Sequence, residues 1–336
     1  MSIRRVSARV FGIGSGTGGG NPVTVFWCRD RGITEEQGQR LARSCEWESV
    51  VIEPSNRFSF YMPSGEQVSF CAHAAMGAAR VVAAGSGDSS TAGATNGDGN
   101  TSLRKSSVVQ FITSELVRQQ ARVDISTGKV WLEMESSYQE TAIPTGDDAN
   151  GRAFRELLAQ CQVDWENLPS SPPFPVNASV ARPKTLVELD SVEAVHAAVA
   201  PTNAYLFREL CDTLGSTGLY FYAWKPKQDD ANEKSSGGLV DMSNHMLEAR
   251  QFPRASGYPE DPATGIAAGA LAVHLAKKRP QVSPSTAASS RYSVFQGTAM
   301  GRPSLIEIDR MTTVNGLVSF ACGGLVEVDD EAEESV

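Results

Sequence analysis

The sequence predicts an α+β protein of two domains, each built around one buried helix, and two observations support this prediction. First, a short polar turn that opens directly into a helix of Ala, Gly and small aliphatic residues occurs twice, at residues 70–82 and 260–273. Small residues on most sides of a helix indicate close packing all round, which is typical of a buried helix. Second, the 336 residues exceed the size at which a single core usually stops growing, and a hydrophobic content of 41% is enough for two cores.

In the first half, two strands around a glycine-rich loop lead to a helix and then to a hairpin. The loop, residues 12–20, lacks the Lys-Ser/Thr of a phosphate-binding loop and is followed by strand-like residues, so we interpret it as an ordinary loop. Thr34 predicts the N-cap of a helix over residues 34–45. The predicted strands of this half cover residues 6–11, 23–28, 50–52, 58–61, 67–70, 108–112, 122–125 and 129–134.

In the second half, the chain passes from one domain to the other at residues 136–151. The predicted strands cover residues 184–189, 218–224 and 246–252, and the predicted helices cover 192–198 and 203–214. Two polar segments, 85–107 and 225–238, have the composition of disordered surface insertions. The acidic run at 327–334 predicts a solvated tail.

These boundaries predict a first domain over residues 1–140 and a second over 141–322. A C-terminal strand and the acidic tail, residues 323–336, are expected to return to the first domain.

Composition excludes several functional classes. A net charge of −9 and a pI near 5.1 argue against nucleic acid or an anionic membrane surface as a partner. No apolar run approaches the length of a membrane span, and the first residues are unlike a secretory signal, so we expect a cytoplasmic protein. Six cysteines without a CxxC pair and four histidines without ligand spacing indicate no metal site and no disulfide framework.

The polar residues of the two predicted helices cluster at their N-termini. A buried helix N-terminus has unpaired backbone N–H groups and about half a positive charge. If the two helix N-termini face each other, they bind an anionic small-molecule substrate between them, and this is the site that the sequence predicts.

Five motifs occur in one order along the chain. They are Gly20-Asn21-Pro22, Glu48 with its neighbours, Cys71-Ala72-His73-Ala74, the run from Pro259 to Gly265, and Gln296-Gly297 with Met300-Gly301-Arg302-Pro303. With these motifs the chain resembles the phenazine-biosynthesis isomerase (PhzF-like) family. The resemblance implies a diaminopimelate-epimerase-like fold, in which two similar domains each wrap a curved, mostly antiparallel sheet around a central buried helix. It also implies a cofactor-free enzyme of biosynthetic secondary metabolism, commonly a homodimer.

Glu48 is the candidate general acid/base. It lies beside Trp47 and the apolar residues 50–52, where burial favours the protonated carboxyl and suits a group that takes and returns a proton. Without the resemblance, a solvated Glu at the entrance of a strand would be the commoner situation. In the family, the Glu that aligns with Glu48 moves a proton between carbons of a small cyclic dienol acid.

His73 and Asp261 are the candidate catalytic helpers. Each lies at the mouth of a predicted buried helix, where a carboxylate gains from the helix dipole and an imidazole can hydrogen-bond a substrate. Ordinary structural roles remain open for both, since His often satisfies a core carbonyl and Asp before Pro is a common turn or N-cap residue. The resemblance assigns both positions to the active site.

The resemblance also places Asn21, Cys71, Ala72, Gly265 and Ile266 against the substrate. Two of them depart from the family pattern, because Ala72 stands where the family usually has Gly and Ile266 where it usually has Ser. Loss of the Ser hydroxyl removes a hydrogen bond worth about 0.5–1.5 kcal/mol and adds apolar bulk. We therefore expect a bulkier or less acidic ligand than the family's dihydro-hydroxyanthranilate.

Cys71 allows a different mechanism. Related racemases and epimerases of the same fold use two thiols, one from each domain, as acid and base. Cys71 supplies one, but the turn at 261–265 supplies none, so a buried structural thiol is the favoured role.

The sequence thus predicts a cofactor-independent isomerase, or a lyase or cyclase with the same acid/base, that acts on a small biosynthetic intermediate in the interdomain cleft. One alternative is an amino-acid racemase or epimerase that uses Cys71. The other is a non-catalytic small-molecule-binding descendant, in which Ala72 and Ile266 would be signs of decay.

Overall fold

The computed structural model describes residues 2–335 except 15, 17, 86–105, 145, 166, 167, 169–174, 227–243, 279–290, 315 and 316. The chain divides into two compact units, one of Met1–Met134 with Cys322–Val336 and one of Glu135–Ala321. The predicted insertions at 85–107 and 225–238 lie almost wholly outside the described residues.

The first unit is a mixed, largely antiparallel sheet on one buried helix. Helix α2 (Ala72–Gly85) packs on six of the strands, and 11 of its 14 residues are buried, which confirms the predicted burial. Parallel pairs join the second strand to the third and the fourth to the sixth. The strands are β1 (Ser2–Gly12), β2 (Asn21–Trp27), β3 (Ser49–Glu53), β4 (Arg57–Tyr61), β5 (Gln67–Val68), β6 (Ser106–Thr113), β7 (Arg118–Asp124) and the first part of β8 (Lys129–Ser137).

Helix α1 (Glu35–Arg43) confirms the predicted N-cap. The Thr34 hydroxyl accepts the Gln37 N–H at 3.3 Å, and the Gln37 side chain accepts the Thr34 N–H at 2.9 Å, so two terminal donors are satisfied reciprocally. The helix buries Leu41 and Ala42 against Phe26 and other apolar residues of the sheet.

The acidic run at 327–334 is not a separate tail, although its residues 328–333 are exposed to solvent as predicted. Strand β16 (Leu317–Ser335) continues through these residues and pairs antiparallel with β1, Ser2 opposite Ser335. The reason is charge matching across the pair, since Arg9 donates to Asp329 at 2.7 Å and Arg4 donates to Glu331 at 2.7 Å. A run of acidic residues therefore extends the sheet because the facing strand carries arginines.

The second unit is also a mixed sheet, with helices on both faces. Its strands lie side by side in chain order, and parallel pairs join β11 to β12 and β13 to β14. The strands are β9 (Gln139–Ala142), β10 (Val176–Ser179), β11 (Lys184–Glu188), β12 (Gly218–Trp224), β13 (Asn244–Pro253), β14 (Arg291–Gln296) and β15 (Ser304–Val314), with the first part of β16.

One face of this sheet carries a buried helix and the other an apolar layer of three helices. Helix α6 (Gly265–Lys278) packs on β10, β11 and β15, and 11 of its 14 residues are buried, as predicted. The other layer comprises α3 (Ala149–Gln160), α4 (Val192–Ala197) and α5 (Ala204–Thr213), whose apolar side chains cluster with Val187 and Phe221. The predicted helices at 192–198 and 203–214 are confirmed, whereas α3, β9, β10, β14 and β15 were not predicted.

The two buried helices need glycine where a strand side chain approaches their backbone. A Cβ at Gly77 of α2 would lie 2.7 Å from Val23 Cγ1, and a Cβ at Gly269 of α6 would lie 2.6 Å from Phe320 Cζ. Val23 and Phe320 are themselves 2% and 1% exposed, so neither has room to move aside.

We expect Gly269→Ala to destabilise the protein. Overpacking against Phe320 costs about 1–3 kcal/mol, which outweighs the gain of about 1 kcal/mol that alanine brings to a helix. The free energy of unfolding in urea should fall accordingly. Gly146→Ala is the matched control in the same unit, because a Cβ there meets no described atom within 4 Å. Equal stability of the Gly269→Ala variant and the native protein would contradict the close approach.

Candidate active site

The turn before α2 buries a thiol and an imidazole together. The Cys71 carbonyl accepts the Ala75 N–H at 2.9 Å, so Cys71 is the residue immediately before the helix. Cys71, Ala72 and His73 are 8%, 4% and 7% exposed. Both polar side chains therefore lie at the positive end of a helix, inside the protein.

Glu48 reaches the same place from the sheet. It immediately precedes β3, and its carbonyl accepts the Thr24 N–H of β2 at 3.2 Å, where the parallel register of the two strands begins. Its side chain is buried, and its Oε2 lies 3.9 Å from Nε2 of His73. The fold thus brings together a carboxylate and an imidazole that are 25 positions apart in sequence.

The imidazole of His73 is neutral near pH 7. Burial lowers its pKa below the ordinary value of 6.5, and the neighbouring Glu48 opposes that effect only in part. Sγ of Cys71 also lies beside the ring, 3.4 Å from Nδ1 and 4.0 Å from Nε2. Thiol, imidazole and carboxylate therefore form one buried cluster.

In the second turn, the Asp261 carboxylate accepts two hydrogen bonds just before α6 begins. Asp261 Oδ1 accepts the Ala263 N–H at 3.1 Å and Oδ2 accepts the Thr264 hydroxyl at 2.6 Å. The Thr264 carbonyl in turn accepts the Ala268 N–H at 3.0 Å, the first bond of the helix. Asp261 is therefore a turn residue whatever else it does.

Gln296 holds this turn from the end of β14. It is fully buried, and its Nε2 donates to the Asp261 carbonyl at 2.7 Å. Its Oε1 accepts the Thr264 N–H at 3.2 Å and the Tyr220 hydroxyl at 3.0 Å. One amide thus ties the turn to two strands of the sheet.

A family model described as phenazine biosynthesis-like protein, PhzC-PhzF, matches residues 13–318. The chain belongs to this family. An uncharacterized isomerase of Deinococcus radiodurans is 26% identical over 311 residues, which cover 89% of this chain and 85% of that protein.

Solved structures of PhzF-family proteins have the same fold. The Bacillus anthracis phenazine biosynthesis protein of the PhzF family superposes with a TM-score of 0.74 at 16% identity, and the two chains are covered completely. A predicted epimerase from Pseudomonas aeruginosa gives a TM-score of 0.68 at 21% identity, with 99% of both chains covered. The fold is therefore the α+β PhzF-family fold, with mixed sheet and a few helices.

The predicted site residues of this PhzF-family chain fall into two groups, one in each unit. In the first unit, Glu48, His73, Cys71 and Ala72 lie together, and Asn21 is buried where β2 begins. In the second unit, Asp261, Gly265 and Ile266 lie at the start of α6, where Gly265 and Ile266 are buried.

Sequence reasoning missed the residues that support the second turn. Gln296 was noticed only as part of a family motif, and nothing local marks it as the partner of Asp261. Arg250 and Glu260 form a buried two-point ion pair at 2.9 and 2.6 Å, which braces the chain immediately before Asp261. The contacts of Gln296 reach a turn 32–35 positions away, so only the fold reveals them.

Lys184 is a further missed residue. Its side chain is buried on β11 and donates to the Thr217 carbonyl at 3.0 Å. Burial and the nearby Arg182 lower its pKa to about 8, and the charge of Asp261 partly opposes this. Lys184 is the first residue of its strand and follows Arg182 and Pro183, so no local signal marks it as buried.

Among the described residues, no three or more His, Cys, Asp or Glu side chains are grouped so that they could hold a metal ion. In the same part of the chain, no helix has the length and apolar character needed to cross a membrane.

We expect His73→Asn to reduce the loss of stability on acidification. Because burial lowers the pKa of His73 in the folded protein, the unfolded chain binds this proton more readily, so acid below about pH 6.5 favours unfolding. Removing His73 removes this contribution, which is at most about 1.4 kcal/mol per pH unit. Urea unfolding at pH 7, 6 and 5 measures the difference between variant and native protein.

His196→Asn serves as the control for this prediction. The His196 side chain is 35% exposed and its Nε2 lies 3.0 Å from Glu248 Oε1, so it lacks the burial of His73. The control should not reduce the acid-induced loss. If His73→Asn and the native protein lose stability equally between pH 7 and pH 5, His73 titrates normally and the description of the site is wrong.

Proposed function

We propose that this PhzF-family chain is a cofactor-independent isomerase in which Glu48 moves a proton between carbons of a small cyclic intermediate. The observation that carries the proposal is the buried Glu48 carboxylate, 3.9 Å from an imidazole that burial keeps neutral. A general acid/base must exist in both protonation states during turnover. A buried carboxylate whose histidine neighbour is neutral suits that requirement better than one that faces a charged imidazole.

His73 and Asp261 have different roles in this proposal. The Nε2 side of His73 faces Glu48, so His73 polarises or orients the substrate beside the proton carrier. Asp261 already binds the Ala263 N–H and the Thr264 hydroxyl, so it shapes the site and does not carry the proton. The inclusion of Asp261 rests on the family resemblance of its motif.

Names of related proteins support an isomerase class. The Deinococcus radiodurans relative is called an uncharacterized isomerase, and the Pseudomonas aeruginosa protein of the same fold is called a predicted epimerase. The two units of this chain, each with a mixed sheet on one 14-residue buried helix, agree with the diaminopimelate-epimerase-like description. A homodimer, a cytoplasmic location and a role in secondary metabolism stay predictions.

The substrate class follows from Ala72 and Ile266. Both are buried, at 4% and 7% exposure, and both present methyl groups where the family usually has Gly and Ser. A ligand beside Ala72 gains apolar surface, and a ligand beside Ile266 loses a hydroxyl contact. We infer a cyclic diene with fewer charged groups than the family's amino acid substrate.

An amino-acid racemase that uses Cys71 is the competing assignment. The observation in its favour is the thiol 3.4 Å from an imidazole nitrogen, a geometry that can deprotonate a thiol. Against it, the five residues of the second turn, 261–265, contain no second thiol. Variants of Glu48 and Cys71 separate the two assignments.

We expect Glu48→Gln to lower turnover by ~10²–10⁴ with the fold intact, because the amide keeps the shape and cannot carry the proton. Asp261→Asn and His73→Ala should lower turnover less. Cys71→Ser should be nearly silent. The matched control is Glu53→Gln, at the other end of β3, which should leave turnover unchanged.

A racemase would give the opposite pattern. Native turnover by Glu48→Gln together with an inactive Cys71→Ser variant would overturn the isomerase assignment. Circular dichroism and urea unfolding of each variant show that any loss of activity is not a loss of fold.

We expect the double bond of a suitable substrate to shift without any added cofactor, including after dialysis against a chelator. The assay is ¹H NMR of small cyclic dienes that bear hydroxyl, carboxyl or carboxamide groups, incubated with the protein in deuterated water. A shuttle open to solvent places deuterium on the product carbon, and a sheltered one returns the substrate's own hydrogen. A requirement for zinc, magnesium or an organic cofactor would contradict the proposal.

A further inference from the structure

We propose that Lys184 and Gln251 form a subsite of the second unit, beside the turn that leads into α6, and that this subsite binds the carboxylate of a small acid with a single negative charge. The inference deepens the proposed function and rests on it in one respect, since Asp261 in that turn belongs to the proposed active site. It concerns two residues that the proposed proton transfer does not use.

The amide of Gln251 is buried with both of its polar atoms unpaired. Among the described residues, neither its Oε1 nor its Nε2 has a hydrogen-bond partner, and the residue is 0% exposed. Burial of an unpaired amide is unfavourable, so proteins rarely leave one in this state. A ligand that accepts one hydrogen bond and donates another would satisfy both ends of the amide.

Lys184 lies on the same face of the sheet as Gln251. Val187 on β11 and Phe252 on β13 both belong to the apolar layer formed with α3, α4 and α5. Side chains alternate between the two faces along a strand, so Lys184 and Gln251 point to the opposite face. That face carries α6.

The two side chains also reach one peptide unit, between Thr217 and Gly218. The Lys184 ammonium donates to the Thr217 carbonyl at 3.0 Å, which leaves two of its three N–H donors for other partners. A Cβ at Gly218, where φ is +135°, would lie 2.8 Å from Nε2 of Gln251. A glycine at this position therefore gives the amide its room.

The turn before α6 adjoins this pair. The Gln251 carbonyl accepts the Asp261 N–H at 3.0 Å, in an isolated bridge between the two residues. Asp261 is only half-buried, so the subsite has a route to solvent on that side. Burial and the nearby Arg182 lower the pKa of Lys184 to about 8, and the charge of Asp261 partly opposes this.

The charges and donors of the subsite favour a monoanion. Lys184 brings one buried positive charge, whereas Asp261 is negative and opposes a second negative charge on the ligand. A carboxylate has two oxygens, one for the ammonium and one for the N–H of Gln251. An acid with one charge agrees with the ligand of few charged groups proposed above.

The experiment is a ¹H NMR titration of the full-length protein with benzoate, with its neutral analogue benzamide and with the dianion phenyl phosphate. At pH 7 we expect benzoate to bind more tightly than the other two compounds. Lys184→Met removes the charge and Gln251→Leu removes the amide at similar volume. Each substitution should weaken benzoate binding by about tenfold or more, because each removes a hydrogen bond to a charged group.

Lys278→Met is the matched control, since Lys278 is an exposed lysine in the last turn of α6 in the same unit. It should leave benzoate binding unchanged. Circular dichroism and urea unfolding show whether each variant is folded. If Gln251→Leu does not fold, Gln251→Glu keeps the shape, adds a negative charge beside Lys184 and should likewise exclude benzoate.

The pH dependence of binding separates a ligand contact of Lys184 from a purely structural role. Native affinity for benzoate should fall as the pH rises above about 8, where the ammonium loses its proton, and Lys184→Arg should abolish this fall. Of the neighbours Arg182, Asp261 and Cys211, only the thiol ordinarily titrates near this range, and burial raises the pKa of Cys211 to about 12.

Equal binding of benzoate and benzamide by the native protein overturns the proposal. Native affinity for benzoate in folded Lys184→Met and Gln251→Leu variants overturns it as well. Binding is measured without turnover, so failure here leaves the isomerase assignment standing. Full activity of Glu48→Gln would end that assignment and leave the subsite standing.

Discussion

The close approach of two helices to the strands around them is the constraint on which the structure depends. Gly77 and Gly269 leave no room for even a methyl group against Val23 and Phe320, and their neighbours in α2 and α6 are mostly Ala, Gly or Val. Such helices have few side chains that can do chemistry along most of their length. Their functional groups are therefore concentrated at the N-terminal turns, where backbone N–H groups and the helix dipole also act.

The two turns satisfy their buried polar groups in different ways. At the start of α6, Asp261 binds its own turn and Gln296 ties that turn to the sheet, so the polar groups are largely occupied by structure. At the start of α2, Cys71, His73 and Glu48 contact one another through side chains at 3.4 and 3.9 Å. The proposed function assigns proton chemistry to the second arrangement, because its contacts can lengthen without undoing the fold.

A structural feature could be predicted from the sequence where neighbouring residues determine it, and could not where a distant residue does. The cap at Thr34 and the burial of α2 follow from residues that are adjacent in sequence, and both predictions were confirmed. The acidic run became part of β16 because arginines over 300 positions away, such as Arg9, pair with it. Gln296 likewise acts on a turn 32–35 positions distant, and its role appears only once β14 is placed beside β13. Within the site, the motifs located Glu48, whereas the order of contacts around the imidazole required coordinates.

The surroundings of the buried glutamates explain why Glu48 stands out. Glu260 uses both oxygens in an ion pair with Arg250, and Glu248 uses both in bonds to a lysine and a histidine. Removing a proton from such pairs, or adding one, would break a buried charge-assisted network. Glu48 faces a neutral His73 at 3.9 Å, beyond hydrogen-bond distance. In the proposed function, a proton can therefore move to or from Glu48 without breaking a bond between these two side chains.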